Sequence, residues 1–368
     1  LLHEPSQDDR RTMAFLRKHV KHVIYVVKEN RTYDQVLGDL GKGNGDPGLA
    51  EFPRGTTPNL HAAAERFVTL DNFYDSGEVS GNGWPWSTAA RESDAGAKML
   101  PVNYACSPLT GPGCSDPAPS APGVGAYTRG GSYDWEGTNR NVNVGLEGLA
   151  RIAANPLSAA LDADTLPGTG NVAAPDGPDG EVGQGYLWSA ALRAGLTVRN
   201  YGFFIDLTRY HLAGTPYAQL GIPLTRPPFQ KAGPKADPPQ AYAANAELAA
   251  VTDPYFRGFD DAYPDFYREQ EWESEFEQYV LDGNLPALSL VRLMNDHTGA
   301  YGAAIDKVNT PETQVADNDY AVGKLIEAVA RSPYRDDTLI FVVEDDAQDG
   351  PDHVDGHRST AFVVGPYV

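Results

Sequence analysis

The sequence of 368 residues lacks long apolar segments, and none reaches the length of about 18 residues that a membrane-spanning helix needs. It also lacks a P-loop, a dinucleotide-binding glycine fingerprint and internal repeats, so the sequence does not indicate a P-loop protein, a dinucleotide-binding protein or a repeat protein. Basic residues are scarce, with 29 Lys and Arg against 50 Asp and Glu and a formal net charge of -21. This charge repels nucleic acid and anionic membrane surfaces, and we expect neither as a partner. It also repels phosphorylated substrates, unless a metal or local Arg and Lys reverse the sign.

Cysteine is nearly absent, and the two that occur, Cys106 and Cys114, bracket a short loop rich in Pro and Gly. This spacing favours a disulfide bond and an oxidising compartment, with two free thiols as the alternative. The sequence begins at Leu1 rather than Met, which fits removal of a signal peptide or of another upstream segment. We therefore expect a secreted or periplasmic protein of unknown oligomeric state.

The hydrophobic content, 41%, is that of a folded protein, and apolar runs alternate with amphipathic stretches. The apolar runs predict buried strands at 22–27, 67–73, 197–204, 288–293, 338–343 and 361–364. Helices are predicted at 8–19, 58–67, 185–194, 266–282 and 316–331, with one more beginning near Pro85. The alternation indicates an α/β fold with a mostly parallel sheet, in a single domain over 1–368. Residues 103–185 are rich in Gly, Pro and Asn and are predicted to be a loop-rich insertion.

The most unusual stretch is FVVEDDAQDGPDHVDGHR at 341–358, which follows a predicted buried strand. Six carboxylates and two imidazoles lie within 14 residues: Glu344, Asp345, Asp346, Asp349, Asp352, His353, Asp355 and His357. These groups repel one another unless a cation lies among them, and a divalent metal is the simplest such cation. The alternative is a solvated loop of an acidic protein. The position after a buried strand and the two histidines favour the metal site.

Polar pairs end three of the predicted strands: Glu29 with Asn30, Asp296 with His297, and Asp345 with Asp346. Because the carboxyl ends of parallel strands lie along one edge of a sheet, these pairs can meet at one site. The alternative for each Asp is a helix N-cap. The carboxylate and amide oxygens suit Ca²⁺, Mg²⁺ or Mn²⁺, whereas the histidines suit Zn²⁺ or Fe, so the metal stays open between these ions.

Several of these segments resemble one family. HVIYVVKENRTYDQVLG looks like the opening motif of the bacterial phosphoesterase family that includes phospholipase C enzymes and acid phosphatases. LMNDHT, VADNDYAVGKLIEAV and VEDDAQDGPDHVDGHRSTAFVVGPYV look like its later motifs. The family is part of the alkaline-phosphatase-like superfamily, and the resemblance implies a three-layer sandwich with a mostly parallel central sheet flanked by helices. It covers nearly the whole chain apart from 106–132.

The resemblance implies metal-dependent hydrolysis of a small-molecule or lipid phosphate ester. Glu29, Asn30, Asp345 and Asp346 are then expected to hold one metal, with Zn²⁺ or Ca²⁺ favoured. Four further residues are expected to bind a second metal or to contact phosphate and leaving group: Asp296, His297, His353 and His357. Arg31 or Arg358 is expected to bind phosphate, with an ordinary surface role as the alternative. Aromatic residues are candidates for an apolar leaving-group pocket or for the core: Trp84, Trp86, Tyr133 and Trp135.

The segment that resembles the family's nucleophile region departs from its pattern. The family has a Ser or Thr nucleophile three residues before a frequent Asn. If Pro85 of this sequence is aligned with that Asn, the nucleophile position is Asn82, and an amide is not a nucleophile. Three explanations remain open: Ser80 attacks instead, a metal-bound hydroxide attacks while Asn82 only binds, or the chain is an impaired or non-catalytic homologue that binds phosphorylated ligands, either naturally or through substitution of an ionisable residue. Ser80 and Asn82 can also be ordinary turn residues.

Two further expectations follow from the resemblance. Some relatives carry an upstream β-propeller, and the family fold usually continues beyond the last strand, so further elements are expected at both ends. A sulfatase-type relative is a weaker alternative, because Cys106 does not lie in a sulfatase-like motif.

Overall fold

The computed structural model describes residues 6–90, 132–135, 138–141, 186–206, 222–243, 247–348 and 350–368, with backbone alone for the second and third ranges. The helices are α1 Gln7–His19, α2 Tyr33–Leu37, α3 Pro58–Arg66, α4 Ser80–Ala89, α5 Leu187–Arg193, α6 Asp265–Asp282 and α7 Pro311–Arg331. Strands β1 to β6 are His22–Lys28, Val68–Thr69, Phe73–Tyr74, Ser132–Trp135, Thr138–Asn141 and Val198–Tyr201. Strands β7 to β12 are Ile205–Asp206, Tyr242–Ala243, Leu288–Arg292, Thr338–Glu344, Arg358–Ser359 and Ala361–Val364. Short 3-10 helices lie at Pro47–Leu49 and Asn295–His297.

A six-stranded sheet in the order β2-β12-β10-β1-β9-β6 forms the centre of the fold. Strands β10, β1, β9 and β6 run parallel, and β12 and β2 add an antiparallel edge. The mostly parallel sheet predicted from the sequence is therefore confirmed. The register pairs Lys28 with Glu344 and Val27 with Arg292, so the carboxyl ends of β1, β10 and β9 lie level with one another.

Two hydrophobic layers cover the two faces of this sheet. On one face, Ile24 and Val26 of β1 pack with Leu60 of α3, Trp272 of α6 and Leu325 of α7. On the other face, Val27 packs with Trp84 of α4 and with Trp188 of α5. Adjacent residues of β1 thus enter opposite cores, as the alternation of side chains along a strand requires. The result is the predicted three-layer arrangement, with helices on both faces of the sheet.

Some element boundaries differ from the sequence predictions. The strand predicted at 67–73 is two short strands, β2 and β3, since a turn closed by the Phe73 amide on the Leu70 carbonyl separates them. Strand β6 ends at Tyr201 because Gly202 adopts φ of +98°, and the chain then turns Phe203 and Phe204 into the core. The predicted 103–185 insertion contains strands β4 and β5, and its remainder lies outside the described residues.

Two helices begin earlier than predicted. Helix α7 begins at Pro311 rather than 316, because Thr310 accepts a hydrogen bond from the Thr313 amide and caps the first turn. Helix α4 begins at Ser80 rather than near Pro85, which instead lies inside the helix. Within the described parts of the chain, no helix combines the length and apolar character needed to cross a membrane.

Candidate active site

The level strand ends bring the predicted Asp345 and Asp346 next to the start of α4. Ser80 Oγ donates to Asp346 Oδ2 at 3.1 Å, and Asn30 Nδ2 donates to Asp346 Oδ1 at 3.0 Å. Asn30 adopts φ of +63°, a left-handed conformation that Asn tolerates better than most residues. The sequence therefore correctly predicts that Asn30 and Asp346 meet, and the structure adds Ser80 to them.

Asp345 is the least compensated charge at this edge of the sheet. Its side chain is 1% exposed, and neither carboxylate oxygen has a hydrogen bond of normal geometry. Burial raises the pKa of Asp345 well above its ordinary value, and the neighbouring charge of Asp346 raises it further. A buried carboxylate without a partner is costly, so the geometry calls for a positive group at this position.

Glu29 lies at the same edge but already has one cationic partner. Arg292 Nε donates to Glu29 Oε1 at 2.8 Å, and the Arg292 guanidinium lies 4.3 Å from the centroid of the Trp84 ring and 5.1 Å from that of the Phe259 ring. Glu29 Oε2 has no hydrogen bond of normal geometry, and burial raises the pKa of Glu29 well above its ordinary value. One oxygen of Glu29 is thus held and the other is available to a ligand.

These oxygens fit a divalent cation by their chemistry. Glu29 Oε2, Asn30 Oδ1 and both oxygens of Asp345 are buried without a hydrogen bond of normal geometry, and carboxylate and amide oxygens are ligands for hard cations. They are not yet gathered as a preformed cage. In the part of the chain that the structure describes, the one group of three His, Cys, Asp or Glu with ligand atoms within 4.8 Å of one another is Asp34, Asp352 and His353.

That compact group already contains a cation, namely Arg358. The Arg358 side chain is fully buried, lies 4.7 Å from the centroid of the Tyr33 ring, and bonds Asp34 Oδ1 and Asp352 Oδ1 at 2.9 Å each. It also donates to the backbone oxygens of Asn44 and Asp71. The prediction that Arg358 binds phosphate is corrected, because its donors tie the 350–358 loop to α2.

His353 lies in this second group rather than with Asp345. Its Nδ1 is 2.5 Å from Asp34 Oδ2, its amide donates to the same carboxylate, and its Nε2 is 3.3 Å from Asn44 Oδ1. The structure thus places His353, predicted to bind a second metal or to contact phosphate and leaving group, in the one compact group of possible metal ligands among the described residues, and that role stays a prediction. Its ring is exposed and holds the loop to α2.

Asp296 was predicted as a metal ligand, but the structure pairs it with a buried lysine. Lys28 Nζ lies 2.7 Å from Asp296 Oδ2 and 2.8 Å from Glu344 Oε1, and all three side chains are buried. Asp296 Oδ1 accepts from the Glu29 amide at 3.2 Å. Burial raises the pKa of Asp296 to about 7 in spite of Lys28. We correct the prediction: Asp296 and Lys28 brace the strand ends from the opposite face of the sheet.

His297 faces the site from the end of β9. It lies 3.3 Å from Asp261 Oδ1, its ring meets Phe259 edge-on, and its side chain is 30% exposed. Burial acts to lower the pKa of His297, but the carboxylate of Asp261 outweighs it, helped by Glu29, so the pKa is raised. A half-exposed imidazole that is readily protonated is suited to donate a proton.

His357 lies at the rim of the site. Its Nδ1 is 2.9 Å from Asp355 Oδ1 and its Nε2 is 3.0 Å from Glu78 Oε1. Hydrogen bonds to these two carboxylates raise its pKa. Its backbone oxygen accepts from the Asp75 amide, which joins the 350–358 loop to the segment before α4.

Arg31 was also predicted to bind phosphate. Its guanidinium donates to the backbone oxygens of Asp296 and His297 at 2.7 and 3.2 Å and to Thr298 Oγ1, and it lies over the Phe52 ring. These bonds fix the loop that carries His297. The structure therefore shows a positioning role for Arg31, and its predicted binding of phosphate stays a prediction.

Ser80 and Asn82 differ sharply in their surroundings. Asn82 Oδ1 accepts from the amides of Glu78 and Val79 at 3.0 and 3.1 Å, so its side chain closes the loop before α4. Ser80 is the first residue of α4 and faces Asp346. Ser80 therefore presents its hydroxyl to a strand-end carboxylate, whereas Asn82 holds the loop.

Close packing holds α4 against the end of β10. A Cβ added at Gly83 would lie 2.4 Å from the Asp345 backbone oxygen, and one at Gly77 would lie 2.5 Å from Gly83 Cα. Glycine is needed at both positions because any side chain would separate Ser80 from Asp346. The sequence shows these glycines but not the strand that they pack against.

Four site residues escaped the sequence predictions: Lys28, Arg292, Asp75 and Asp34. Lys28 and Arg292 each end an apolar strand, and this position in the sequence was the one sign that their charges are buried. Asp34 and Asp75 carried no signal beyond their charge. Trp84, a pocket candidate, is fully buried, whereas Trp86 is 39% exposed. Predictions on Cys106, Cys114, Asp349 and the side chains of Tyr133 and Trp135 lie outside the described residues.

Comparison with known proteins gives no matching family model and no matching curated protein. Among solved structures, the chain is similar to a protein of the alkaline phosphatase superfamily from Vibrio parahaemolyticus, with 15% sequence identity and a TM-score of 0.43. The match covers 95% of this chain and 61% of that protein. It is similar to the C-terminal periplasmic domain of EptC from Escherichia coli in complex with Zn, with 10% identity, coverage of 94% and 72%, and a TM-score of 0.40. A sulfatase from Pseudoalteromonas sp. has 12% identity, coverage of 91% and 57%, and a TM-score of 0.40. The chain thus spans less than two thirds of the Vibrio and Pseudoalteromonas proteins.

Proposed function

We propose that this protein is a metal-dependent hydrolase of phosphate esters. The observation that carries the proposal is Asp345, a buried carboxylate whose oxygens have no hydrogen bond of normal geometry among the described residues, at a strand end where Ser80, Asn30 and Asp346 converge. Burying such a charge is unfavourable unless a cation joins it. The sequence motifs that resemble the phosphoesterase family support the same reading.

Asp345, Asp346, Glu29 Oε2 and Asn30 Oδ1 would hold the metal. When bound there, a divalent cation would supply polarisation of a phosphoryl oxygen and would offset the negative charge that develops in the transition state. Oxygen ligands favour Ca²⁺, Mg²⁺ or Mn²⁺, while the superfamily resemblance favours Zn²⁺. Arg292 holds Glu29 Oε1, which leaves the other oxygen oriented towards the site.

Ser80 is the proposed nucleophile. Its hydroxyl donates to Asp346, and an ionised Asp346 takes the hydroxyl proton as the oxygen forms its bond to phosphorus. Ser80 is also the first residue of a ten-residue helix, whose N-terminus favours the negative charge of a bound phosphoryl group.

His297 is the proposed proton donor to the leaving group. The leaving oxygen takes a proton as its bond to phosphorus breaks, and a protonated imidazole backed by Asp261 supplies it. Water then cleaves the phosphoryl–Ser80 bond, with the imidazole as base. The same arrangement serves mono- and diesters, and a small-molecule or lipid phosphate ester is the proposed substrate. A secreted or periplasmic location stays a prediction.

The test is hydrolysis of aryl phosphate monoesters, phosphate diesters and sulfate esters by the purified protein, before and after chelation, with elemental analysis of the same sample. We expect chelator-sensitive turnover of a phosphate ester that Ser80→Ala abolishes. Bound metal without turnover in the wild type would instead favour the non-catalytic binder, and turnover of sulfate esters alone would favour a sulfatase.

A further inference from the structure

One buried side chain of α7 joins the two segments that place His297. Gln314 lies in the first turns of this helix and is fully buried. Its Oε1 accepts from the Gly299 amide at 2.9 Å, and its Nε2 donates to the backbone oxygens of Asp261 and Gly299 at 3.0 and 2.9 Å. Gln314 therefore ties the segment after His297 to the segment that carries Asp261.

The Asp261 carboxylate lies against the imidazole of His297. Asp261 Oδ1 is 3.3 Å from His297 Nδ1. Both atoms are buried, and neither has a hydrogen bond of normal geometry among the described residues. The separation of carboxylate and imidazole is therefore set by the backbone that carries each of them, and Gln314 is bonded to both of these backbone segments.

Close packing at Gly299 constrains the same carboxylate from a second direction. A Cβ added at Gly299 would lie 2.5 Å from Asp261 Oδ2 and 2.8 Å from Asp261 Cγ. A side chain at this position would therefore push the carboxylate away from its present place. The residue that lets Asp261 approach the loop is thus also the residue that makes two of the three hydrogen bonds with Gln314.

Attachment of α7 to the rest of the fold does not require Gln314. Leu325 and Val329 of this helix pack in the core, and Asp317 and Asn318 already bond α6 and the chain just after β9. The partners of Gln314 lie instead in the two loops beside His297. Its hydrogen bonds therefore serve the arrangement of these loops rather than the packing of α7.

We propose that Gln314 is a positioning residue that holds Asp261 against Nδ1 of His297. The inference rests on the proposed function for the role of His297 as proton donor, and on the contacts of Gln314 alone for the arrangement of the pair. A carboxylate beside Nδ1 favours the tautomer with its proton on Nδ1, which leaves Nε2 to take up and pass on a proton. Gln314 is buried and acts through Asp261.

The test is the tautomer of neutral His297 in the full chain, read from the nitrogen chemical shifts of its ring by NMR. We expect the Nδ1–H form to predominate in the wild type and in Gln278→Leu, the control at an exposed glutamine of α6. Gln314→Met keeps the length of the side chain without its amide, and it should shift the ring towards the Nε2–H form, as should Asp261→Ala. Gln314→Asn, one methylene shorter, should give the same shift and keeps an amide in the core if Gln314→Met does not fold.

Kinetics with phosphate esters then test the link to the reaction. The kcat should fall about 10-fold in the folded Gln314 variants, with KM changed less than about 2-fold, because proton transfer is impaired and substrate binding is not. If Gln314 acts through Asp261, the double variant of Asp261→Ala and Gln314→Met should have the kcat of Asp261→Ala alone. A further 10-fold loss in the double variant would identify a merely structural role and overturn the inference.

An unchanged tautomer in Gln314→Met and Gln314→Asn would also overturn the inference, as would an unchanged kcat in a variant whose tautomer has shifted. Because the tautomer is measured without turnover, the two proposals can fail separately. An inactive wild type with the expected tautomer shifts upholds the arrangement of the pair while the proposed function fails. An active wild type whose tautomer does not respond to Gln314 overturns the inference alone.

Discussion

At the scale of single residues, the buried carboxylates near the strand ends divide by whether they have a cation. Asp296 has Lys28, Asp34 has Arg358, and Asp265 has Arg268 at 2.8 Å. Asp345 differs: neither of its oxygens has a hydrogen bond of normal geometry among the described residues, and the charge of Arg292 offsets the effect of burial only in part. Stability alone explains the first three as braces of the fold, and it does not explain the fourth. Asp345 is therefore the residue that needs a functional explanation, because a contribution to stability does not account for it.

Asp345→Asn should stabilise the metal-free protein. At pH 8 in chelator, removing an uncompensated buried charge should raise the free energy of unfolding by about 1 to 2 kcal/mol, measured by urea denaturation. The matched variant is Asp34→Asn, which leaves the buried Arg358 short of a partner and should lower that free energy by about 3 kcal/mol. Destabilisation by both variants would mean that Asp345 is also a structural residue.

Ser80→Ala and Asn82→Asp should separate the two candidate nucleophile positions. Losing the Ser80 hydroxyl should reduce kcat at least about 10³-fold, since the attacking atom is removed. Asn82→Asp keeps an oxygen that accepts from Glu78 and Val79, so the loop and the metal site should remain. Phosphate-ester kinetics of the two variants decide between them: activity that survives in Ser80→Ala and rises in Asn82→Asp would place the nucleophile at residue 82.

At the scale of elements, the site depends on contact between α4 and the end of β10. Gly83→Ala should abolish activity, because its Cβ would lie 2.4 Å from the backbone oxygen of Asp345 and would push Ser80 away from Asp346. The expected cost is about 1 to 3 kcal/mol of stability, measured by thermal unfolding. Gly55→Ala is the control, because nothing lies within 4 Å of its Cβ and activity should be retained. Full activity in Gly83→Ala would refute this dependence.

Elements were easier to predict than their contacts. The apolar runs of β1, β9 and β10 identified the strands, and the parallel alternation implied that their ends share an edge, which brought Asn30 and Asp346 together correctly. The pattern could not show which charges pair across that edge. Lys28 pairs with Asp296 and Arg358 pairs with Asp34, and each pair joins segments some 270 to 320 residues apart in sequence. Such pairings depend on register and loop path, which no local pattern contains.

At the scale of the whole molecule, the many buried acids predict how stability depends on pH. Burial raises the pKa of Asp75, Asp296 and Asp317 to about 7 and that of Glu269 and Glu271 to about 8. The native state therefore holds protons that the unfolded state has lost above pH about 5. Stability in chelator should fall as the pH rises from about 5 to about 8.

Two histidines change the stability in the same direction between pH about 5 and about 8. The raised pKa values of His297 and His357 give stability that is likewise lost as the pH rises through them, whereas the lowered pKa values of Asp34 and Asp39 act below pH about 4. Urea denaturation at pH 5, 6, 7 and 8 measures the slope. Saturating metal should remove the part of the slope that comes from the raised pKa values of Glu29, Asp345 and Asp346, because a bound cation keeps these carboxylates ionised. A rise in stability with pH would contradict this account of the buried acids.

The most direct test of the central claim is calorimetric titration of the chelator-treated protein with Ca²⁺ and with Zn²⁺, in wild type, Asp345→Asn and Asp34→Asn. Asp34→Asn removes a carboxylate of the compact Asp34, Asp352 and His353 group. The account predicts that wild type and any folded Asp34→Asn protein bind at least one of these ions stoichiometrically, and that Asp345→Asn loses the site. Stoichiometric binding that survives in Asp345→Asn and disappears in Asp34→Asn would place the metal in the other group and contradict the account.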